Sequence, residues 1–335
     1  MVAKKKITLK DIAKKAGISI NSVSKALKDS KSISQKTKNK VKKIADKLGY
    51  IPDIRAKTLR SGKLDVIAIV YDNLTNPYYS MMLEKISNYL YSKNYDAMIF
   101  ADSWHIGHLS IDIAKKAISY QVSAILTFIE PTLEAKNLID SFNLPLLLIG
   151  RDGRPTNINS IYSDDYEGGK LAAKTLINKN SHEFLYFTEH NELEIDKQRL
   201  KGFKDELNLK NYNLDQDHII IGTRTNNASS QLIETLNKNP NIDGIFCFSD
   251  LLAYEVLRII YENFEERIKK IKIIGYDNTQ ESNVYPIRVS SVAPNADEII
   301  QKSFEILINL INKGNLNKKM INIKVNVQYF EGTTA

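Results

Sequence analysis

One cysteine in 335 residues, Cys247, leaves nothing from which to build an internal disulfide or a cysteine-cluster metal site. It lies inside the apolar run Gly244-Ile-Phe-Cys-Phe248, which marks it as a small core residue, and no neighbour in that run would activate its thiol. No apolar stretch approaches the roughly 20 residues that a membrane-spanning helix needs. The lysines that follow Met1 are not followed in turn by the apolar run of a secretory signal, so the chain is expected to work in the cytoplasm. The five histidines (His105, His108, His182, His190 and His218) are scattered without zinc-ligand spacing. A Walker-type phosphate loop, a nucleophile elbow and a Ser-His-Asp order are all missing. Neither an enzyme, a cofactor nor a metal is therefore expected.

Glutamate is also missing where it would matter most, since the first one is Glu84. Met1 to Lys63 hold 19 Lys and Arg against 4 Asp, a net of +15. The whole chain has 47 against 39, which leaves residues 64–335 with 28 against 35, a net of −7. A basic head on an acidic body reads as a footprint for a polyanion, nucleic acid above all; a lysine-rich solvated surface would give the same composition.

The head is more specific than its charge. Thr8 can cap a helix, with Asp11 three positions on, and Leu9, Ile12, Ala13 and Ala16 recur at helical spacing. Gly17 supplies a left-handed stop. Ser19 caps a second helix carrying Ser22, Val23, Ala26 and Leu27, and Ser34 caps a third through Val41, Ile44, Ala45 and Leu48, closed by Gly49. Helix, glycine turn, helix in under twenty residues is a helix-turn-helix. The small faces are expected to interlock into a three-helix core with the lysines outside.

Thr8 to Ser19, Ser22 to Leu27 and Leu48 to Pro52 together resemble the headpiece of the lactose/galactose repressor (LacI/GalR) family, densely and over about sixty residues. The resemblance implies that the second helix enters a major groove and reads bases with Ile20, Asn21 and Lys25. Asn21 can pair bidentately with adenine, Lys25 can donate to guanine acceptors, and Ile20 offers apolar contact to a thymine methyl. Relatives mostly carry arginine where Lys25 stands, and lysine lacks that planar fork. Thr8, Ser19, Ser24, Ser34 and Thr37 suit phosphates, which fix register without reading sequence. Leu9 and Ser22 complete the expected DNA-facing set.

Residues 53–63 resemble the family's hinge helix through Ala56, Lys57, Thr58 and Leu59. In the family this leucine wedges between base steps of a minor groove. So short a helix is marginal alone, so DNA and a second subunit are expected to form it.

From Asp65 onward, short β-branched runs alternate with helical stretches. The strand candidates are 66–70, 97–100, 124–128, 145–149, 184–187, 219–221, 244–248 and 271–275; helices include 81–93, 168–180 and 250–263. The expected fold is α/β, two lobes of parallel sheet with helices on both faces and a ligand cleft at the strand ends. The resemblance extends here to a periplasmic-binding-protein-like core. It gives a headpiece at 1–52, a hinge at 53–63 and an effector-binding and dimerisation domain at 64–335. The lobes fall at about 64–165 with 292–323, and 166–291 with 324–335.

The resemblance carries over a set of effector residues. Asn76, Tyr78 and Tyr79 match an Asn-Pro-aromatic-aromatic run whose rings can stack on a sugar or pack in the lobe. Arg199 matches a ligand-clamping arginine, for which a structural ion pair is the other reading, and Asp277 an aspartate that accepts from hydroxyls. Arg151, Asp165 and Glu167 are weaker candidates, and the Gly168-Gly169 pair points to close helix packing. Ser249 and Gly150 depart from the usual asparagine and aspartate, and Arg224 from a position often aromatic. Fewer carboxylates and an added arginine suggest a cationic pocket for a phosphorylated or acidic sugar. The tail after Tyr329 lacks leucine heptads, so a homodimer is expected.

A DNA-binding regulator, a repressor switched by a sugar or sugar phosphate, is thus the leading expectation. A sugar-binding module without a DNA role is the alternative, disfavoured by the head.

Overall fold

The computed structural model describes residues 7–51, 65–71, 73, 75–101, 107–189, 192–222, 228–281, 287–313 and 320–335. The chain divides into two units, Met1–Leu64 and Asp65–Ala335.

In the first unit three helices form, α1 (Leu9–Ala16), α2 (Ile20–Leu27) and α3 (Gln35–Leu48). Asp11 closes the start of α1 by accepting from both the backbone N–H and the hydroxyl of Thr8, at 2.8 and 2.6 Å. The hydroxyls of Ser19 and Ser34 accept from the backbone N–H of Ser22 and Thr37. Gly17 and Gly49, at φ +70° and +65°, end α1 and α3 in the left-handed region that glycine adopts without strain. Ile12, Ala13, Ala16, Val23, Ala26, Val41 and Ala45 make the core, their small size letting short helices approach closely. The lysines are not all outside. Lys38 is buried, its ammonium donating to the backbone carbonyl of Asp29 at 3.0 Å and facing that residue's carboxylate at 3.3 Å. Lys40 donates to the carbonyl of Ala16 at 2.9 Å. Two lysines of α3 thus hold the loop that closes α2 and the end of α1, where carbonyls point outward and attract cations.

In the second unit, strands β1 (Val66–Tyr71), β2 (Asp96–Ala101), β4 (Ala124–Thr127), β6 (Leu146–Ile149), β7 (Asn159–Ser163) and β13 (Asn322–Val325) form one six-stranded sheet, ordered β13-β7-β6-β4-β1-β2. Every pairing in it is parallel. The second sheet runs β14-β12-β11-β10-β8-β9. Its strands are β8 (Phe184–Thr188), β9 (Ile219–Ile221), β10 (Gly244–Cys247), β11 (Lys272–Tyr276), β12 (Ser290–Pro294) and β14 (Val327–Phe330). It is parallel except for β14, which runs antiparallel to β12. A two-residue pair, β3 (His108–Leu109) with β5 (Glu130–Pro131), lies beside the first sheet's loops. Helices α4 (Pro77–Ser92), α5 (Ile111–Ser119) and α6 (Leu133–Ser141) belong to the first lobe. The second holds α7 (Asp165–Asn178), α8 (Glu194–Leu209), α9 (Ala228–Lys238) and α10 (Asp250–Asn263). The last helix, α11 (Ala296–Lys313), returns to pack on the first lobe's core through Ile299, Ile300, Ile306, Leu307 and Leu310.

The chain therefore passes between lobes after β7, after β12 and between β13 and β14. The expected lobe limits at 291/292 and 323/324 fall inside β12 and β13 and must be moved to 294/296 and 325/327. Cys247 is wholly buried, with its thiol pushed well above the ordinary range by burial, as suits a core residue. No helix among the described residues is long and apolar enough to cross a membrane.

Candidate functional site

The head presents its second helix outward. Ile20 is 42% exposed, an unusual position for a branched apolar side chain in so small a unit, and Asn21 and Lys25 are exposed beside it. Thr8, Ser19 and Ser34 are exposed, while Ser22, Ser24 and Thr37 are half-buried. The hydroxyls of Ser19 and Ser22 lie 2.9 Å apart, as do those of Ser34 and Thr37, so capping fixes these groups at the surface. Leu9 is half-buried and packs against the three-helix core. Ala56, Lys57 and Leu59 lie outside the described residues.

The cleft is built at the carboxyl ends of the parallel strands, where both sheets release their chains into loops. Asn76 follows β1, caps α4 by accepting from the backbone N–H of Tyr78 at 3.0 Å, and so turns both tyrosines inward. Tyr78 and Tyr79 meet each other and Phe128 edge to face, with ring centroids 5.4 to 6.3 Å apart. These rings both pack on the lobe core and line a cavity of about 500 Å³. Arg151, Arg199, Ser249 and Asp277 line the same cavity. Asp165 does not; it lies buried behind Arg199 and borders the adjoining space. Arg224 lies outside the described residues.

Arg199 is the centre of the arrangement. It is 5% exposed; its Nε donates to Asp165 Oδ1 at 2.8 Å and its Nη1 to the carbonyl of Phe248 at 2.6 Å. Its guanidinium carbon stands 3.4 Å from the ring centroid of Tyr276 and 4.6 Å from that of Phe248. The ion pair that sequence reasoning set as the other reading is therefore present, in the same residue that walls the cleft. Burial would lower the guanidinium's pKa, but Asp165, Tyr276 and Asp277 around it raise it further, and it stays charged. Burial pushes the carboxyl of Asp165 up, against the pull of Arg199.

Asp277 stands in a left-handed backbone conformation, φ +99°, followed by Asn278 at +50°. What holds this strained corner is Asp250, a residue sequence reasoning passed over. Its buried carboxylate accepts from the backbone N–H of Thr279 at 2.7 Å and from the hydroxyl of Ser291 at 2.7 Å. Gly275 makes room for it, since a Cβ there would lie 2.2 Å from Asp250 Oδ1. Burial, then its neighbour Asp277, pushes Asp250 up to about 8, and burial pushes Asp277 up to about 6. Sequence reasoning also missed Phe128, Phe248, Tyr276 and Glu189, each just past or at the end of a strand, a position that could have singled them out, and Glu130, which opens β5.

The described part of the lining carries charge of both signs. Among the described residues Glu130, Glu189 and Asp277 face Arg151 and Arg199, and Arg199 is already paired with Asp165. Aromatic rings, one buried guanidinium and carboxylate acceptors together suit a polyhydroxylated ring, whose apolar face stacks while its hydroxyls bond at the edge.

A helix-turn-helix unit joined to a two-lobed ligand-binding fold defines a ligand-responsive DNA-binding regulator. Residues 8–53 match the family described as "Bacterial regulatory proteins, lacI family", and residues 173–329 match "Periplasmic binding protein-like domain". The chain thus carries a LacI-family DNA-binding domain and a periplasmic-binding-protein-like domain, and the curated proteins it resembles are repressors. It is 25% identical over 319 residues to the HTH-type transcriptional repressor PurR of Vibrio atlanticus (strain LGP32), covering 93% of this chain and 94% of that protein. It is 28% identical over 314 residues to the sucrose operon repressor of Lactococcus lactis subsp. lactis, covering 92% and 95%. Among solved structures, the lac repressor dimer bound to operator and the anti-inducer ONPF shares the fold with a TM-score of 0.77 at 20% identity, over 98% of this chain and 99% of that one.

Proposed function

We propose that this protein is a transcriptional repressor, working in the cytoplasm as a homodimer, that binds a pseudo-palindromic operator and releases or tightens its hold when a neutral sugar fills the interlobe cleft. The observation that carries the DNA reading is the outward face of α2, where Ile20, Asn21 and Lys25 are exposed on a unit with a net charge of +15. A solvated lysine coat would not need an exposed isoleucine at the start of the helix that follows the turn. Lys57 and Leu59 complete the reading by engaging the minor groove between two half-sites. The sucrose repressor among the relatives, and a structure described as the CelR–cellobiose complex, sharing the fold with a TM-score of 0.68 at 17% identity, support a sugar for the cleft.

Fluorescence anisotropy with duplexes from upstream regions tests the DNA role. Specific binding is expected to weaken by roughly a thousandfold between 50 and 200 mM salt, as for a protein making six or more phosphate contacts. Lys25→Ala should cost about 1–3 kcal/mol on the specific duplex and far less on a random one. Equal losses on both would leave Lys25 a phosphate contact and remove the base-reading assignment.

The cleft gives a pH signature. The folded pKa of Asp277, about 6, lies above its ordinary value of 3.8, so burial penalises the ionised form; this group's contribution to body stability is largest below pH 4 and is lost as pH rises through 6. Effector binding runs the opposite way, because only the carboxylate accepts from hydroxyls with full strength. Affinity should be flat above pH 7 and about tenfold weaker at pH 5, by the protonated fraction of a group titrating near 6. Asp277→Asn should flatten that profile in calorimetric titrations; an unchanged profile would mean that Asp277 does not face the ligand.

A further inference from the structure

The cleft continues beyond the Arg199 wall. Next to the inner cavity of about 500 Å³ lies a second space of about 890 Å³, also between the lobes. Glu130 and Arg151 from the first lobe, Ser163 at the crossover, and Leu193 and Ile195 from the second lobe line both. Shared walls of this kind form a neck joining two chambers. The inner chamber holds the aromatic rings and Arg199. The outer one is lined instead by charges tied to one another: Arg154 to Asp152, and Lys324 to Asp164 at 2.6 Å. Among the described residues its lining holds seven carboxylates and four cations, but Asp165 is paired with Arg199 and Glu167 with Lys170, which brings it close to charge balance.

We propose that the effector is a neutral sugar of two or more units, with its first ring in the inner chamber and its second beyond the neck. This rests on the sugar reading of the inner chamber given above. Size is the first argument. Pockets for compact ligands run from roughly 300 to 1,000 Å³, so the inner chamber alone suffices for a single ring, and the joined space exceeds that range. Chemistry is the second. Ion pairs that satisfy each other still present lone pairs and N–H groups to hydroxyls, and they need no counter-charge from the ligand. A lining so close to charge balance offers no net positive field to draw in a phosphate or a sugar acid. The neck is the third. Leu193 and Ile195 offer apolar edges to a glycosidic ether, which has no hydrogen to donate, while Glu130 and Arg151 can bond the hydroxyls flanking it.

Calorimetric titration of the full chain with glucose, fructose, maltose, cellobiose, sucrose and glucose 6-phosphate tests this. At least one disaccharide should bind at least about tenfold more tightly than either of its component monosaccharides. Gln198→Trp, which fills the outer chamber from α8, should bring that disaccharide down to the monosaccharide's affinity while leaving the monosaccharide within about twofold. Tyr162→Ala, a truncation in the same chamber, should also weaken the disaccharide alone. Operator binding without sugar reports whether either variant is folded. The proposal is overturned if a monosaccharide or the phosphate matches every disaccharide, or if both substitutions weaken one-ring and two-ring sugars alike. If no sugar of either length binds, the reading of the inner chamber falls first and takes this one with it.

Discussion

Replacing Arg199 with alanine should lower the melting temperature of the body by on the order of 10 °C and abolish the effector response, while leaving operator binding without effector in place. The size of the effect follows from what the side chain leaves behind. Asp165 is 6% exposed, and without Arg199 no cation faces it; the hydroxyl of Ser163 still donates to it at 3.1 Å. Removing one member of a buried pair costs about 3–5 kcal/mol, chiefly because the other charge stays desolvated. In a domain of this size each kcal/mol moves the melting temperature by roughly 2–4 °C. The carbonyl of Phe248 and the face of Tyr276 also lose their cation. Arg199→Ala combined with Asp165→Asn should recover several degrees, since the orphaned charge is gone, yet effector response should stay lost. Arg199→Lys keeps a charge but not the planar fork that reaches Asp165 and Phe248 together, so it should fall between the two. Scanning calorimetry of the four proteins measures this; an alanine variant melting within about 2 °C of the parent would show that the pair does not hold the lobe.

The same residue shows how far the sequence could be read. Helix-turn-helix, caps and glycine stops were legible because each is a local pattern, set by residues three or four apart. The core strands β1, β4, β6, β8 and β10 were legible because strands covered on both faces are continuously apolar. Strands β7 and β12 were not, because they carry buried polar residues, and β13 was not, because it is four residues long and mostly half-covered. Ser160, Ser290 and Ser291 are fully buried, with hydroxyls bonded to Asn322, Ala335 and Asp250. Hydropathy alone reads such a segment as loop, and these are the strands that adjoin the lobe crossovers, which is why the lobe limits were misplaced. In the cleft, Arg199 and Asp277 were found through their surroundings in the chain. The partnership of Arg199 with Asp165 spans 34 residues, and that of Asp250 with Ser291 spans 41. No spacing rule encodes contacts that only the packed lobes bring together, so the pairing of these charges could not be read from the sequence.

The pair Gly168-Gly169 pointed to close packing, and its partner across the interface, Gly202, leads to the second large effect. Helices α7 and α8 cross with backbone against backbone: a Cβ at Gly169 would lie 1.9 Å from the carbonyl oxygen of Arg199, and one at Gly202 would lie 1.9 Å from that of Tyr166. In an exposed helix, glycine to alanine gains about 1 kcal/mol. Here the sign should reverse. Real Cβ contacts essentially never fall under 3.0 Å, so the two backbones must part by more than 1 Å, and neither obstacle is a side chain that could swing aside. Gly202→Ala should therefore destabilise the body by about 3 kcal/mol, the upper end of ordinary overpacking. It should also weaken the effector, because α7 carries Asp165 and α8 carries Arg199, and a 2.8 Å hydrogen bond stretched by 1 Å is no longer one. Gly169→Ala attacks the same crossing from the other side. Once either methyl has forced the helices apart the second finds room, so the double variant should cost clearly less than the two single costs added. Urea unfolding of the three variants measures each cost, and additive losses, or a gain from either alanine, would mean that the crossing yields at no such price.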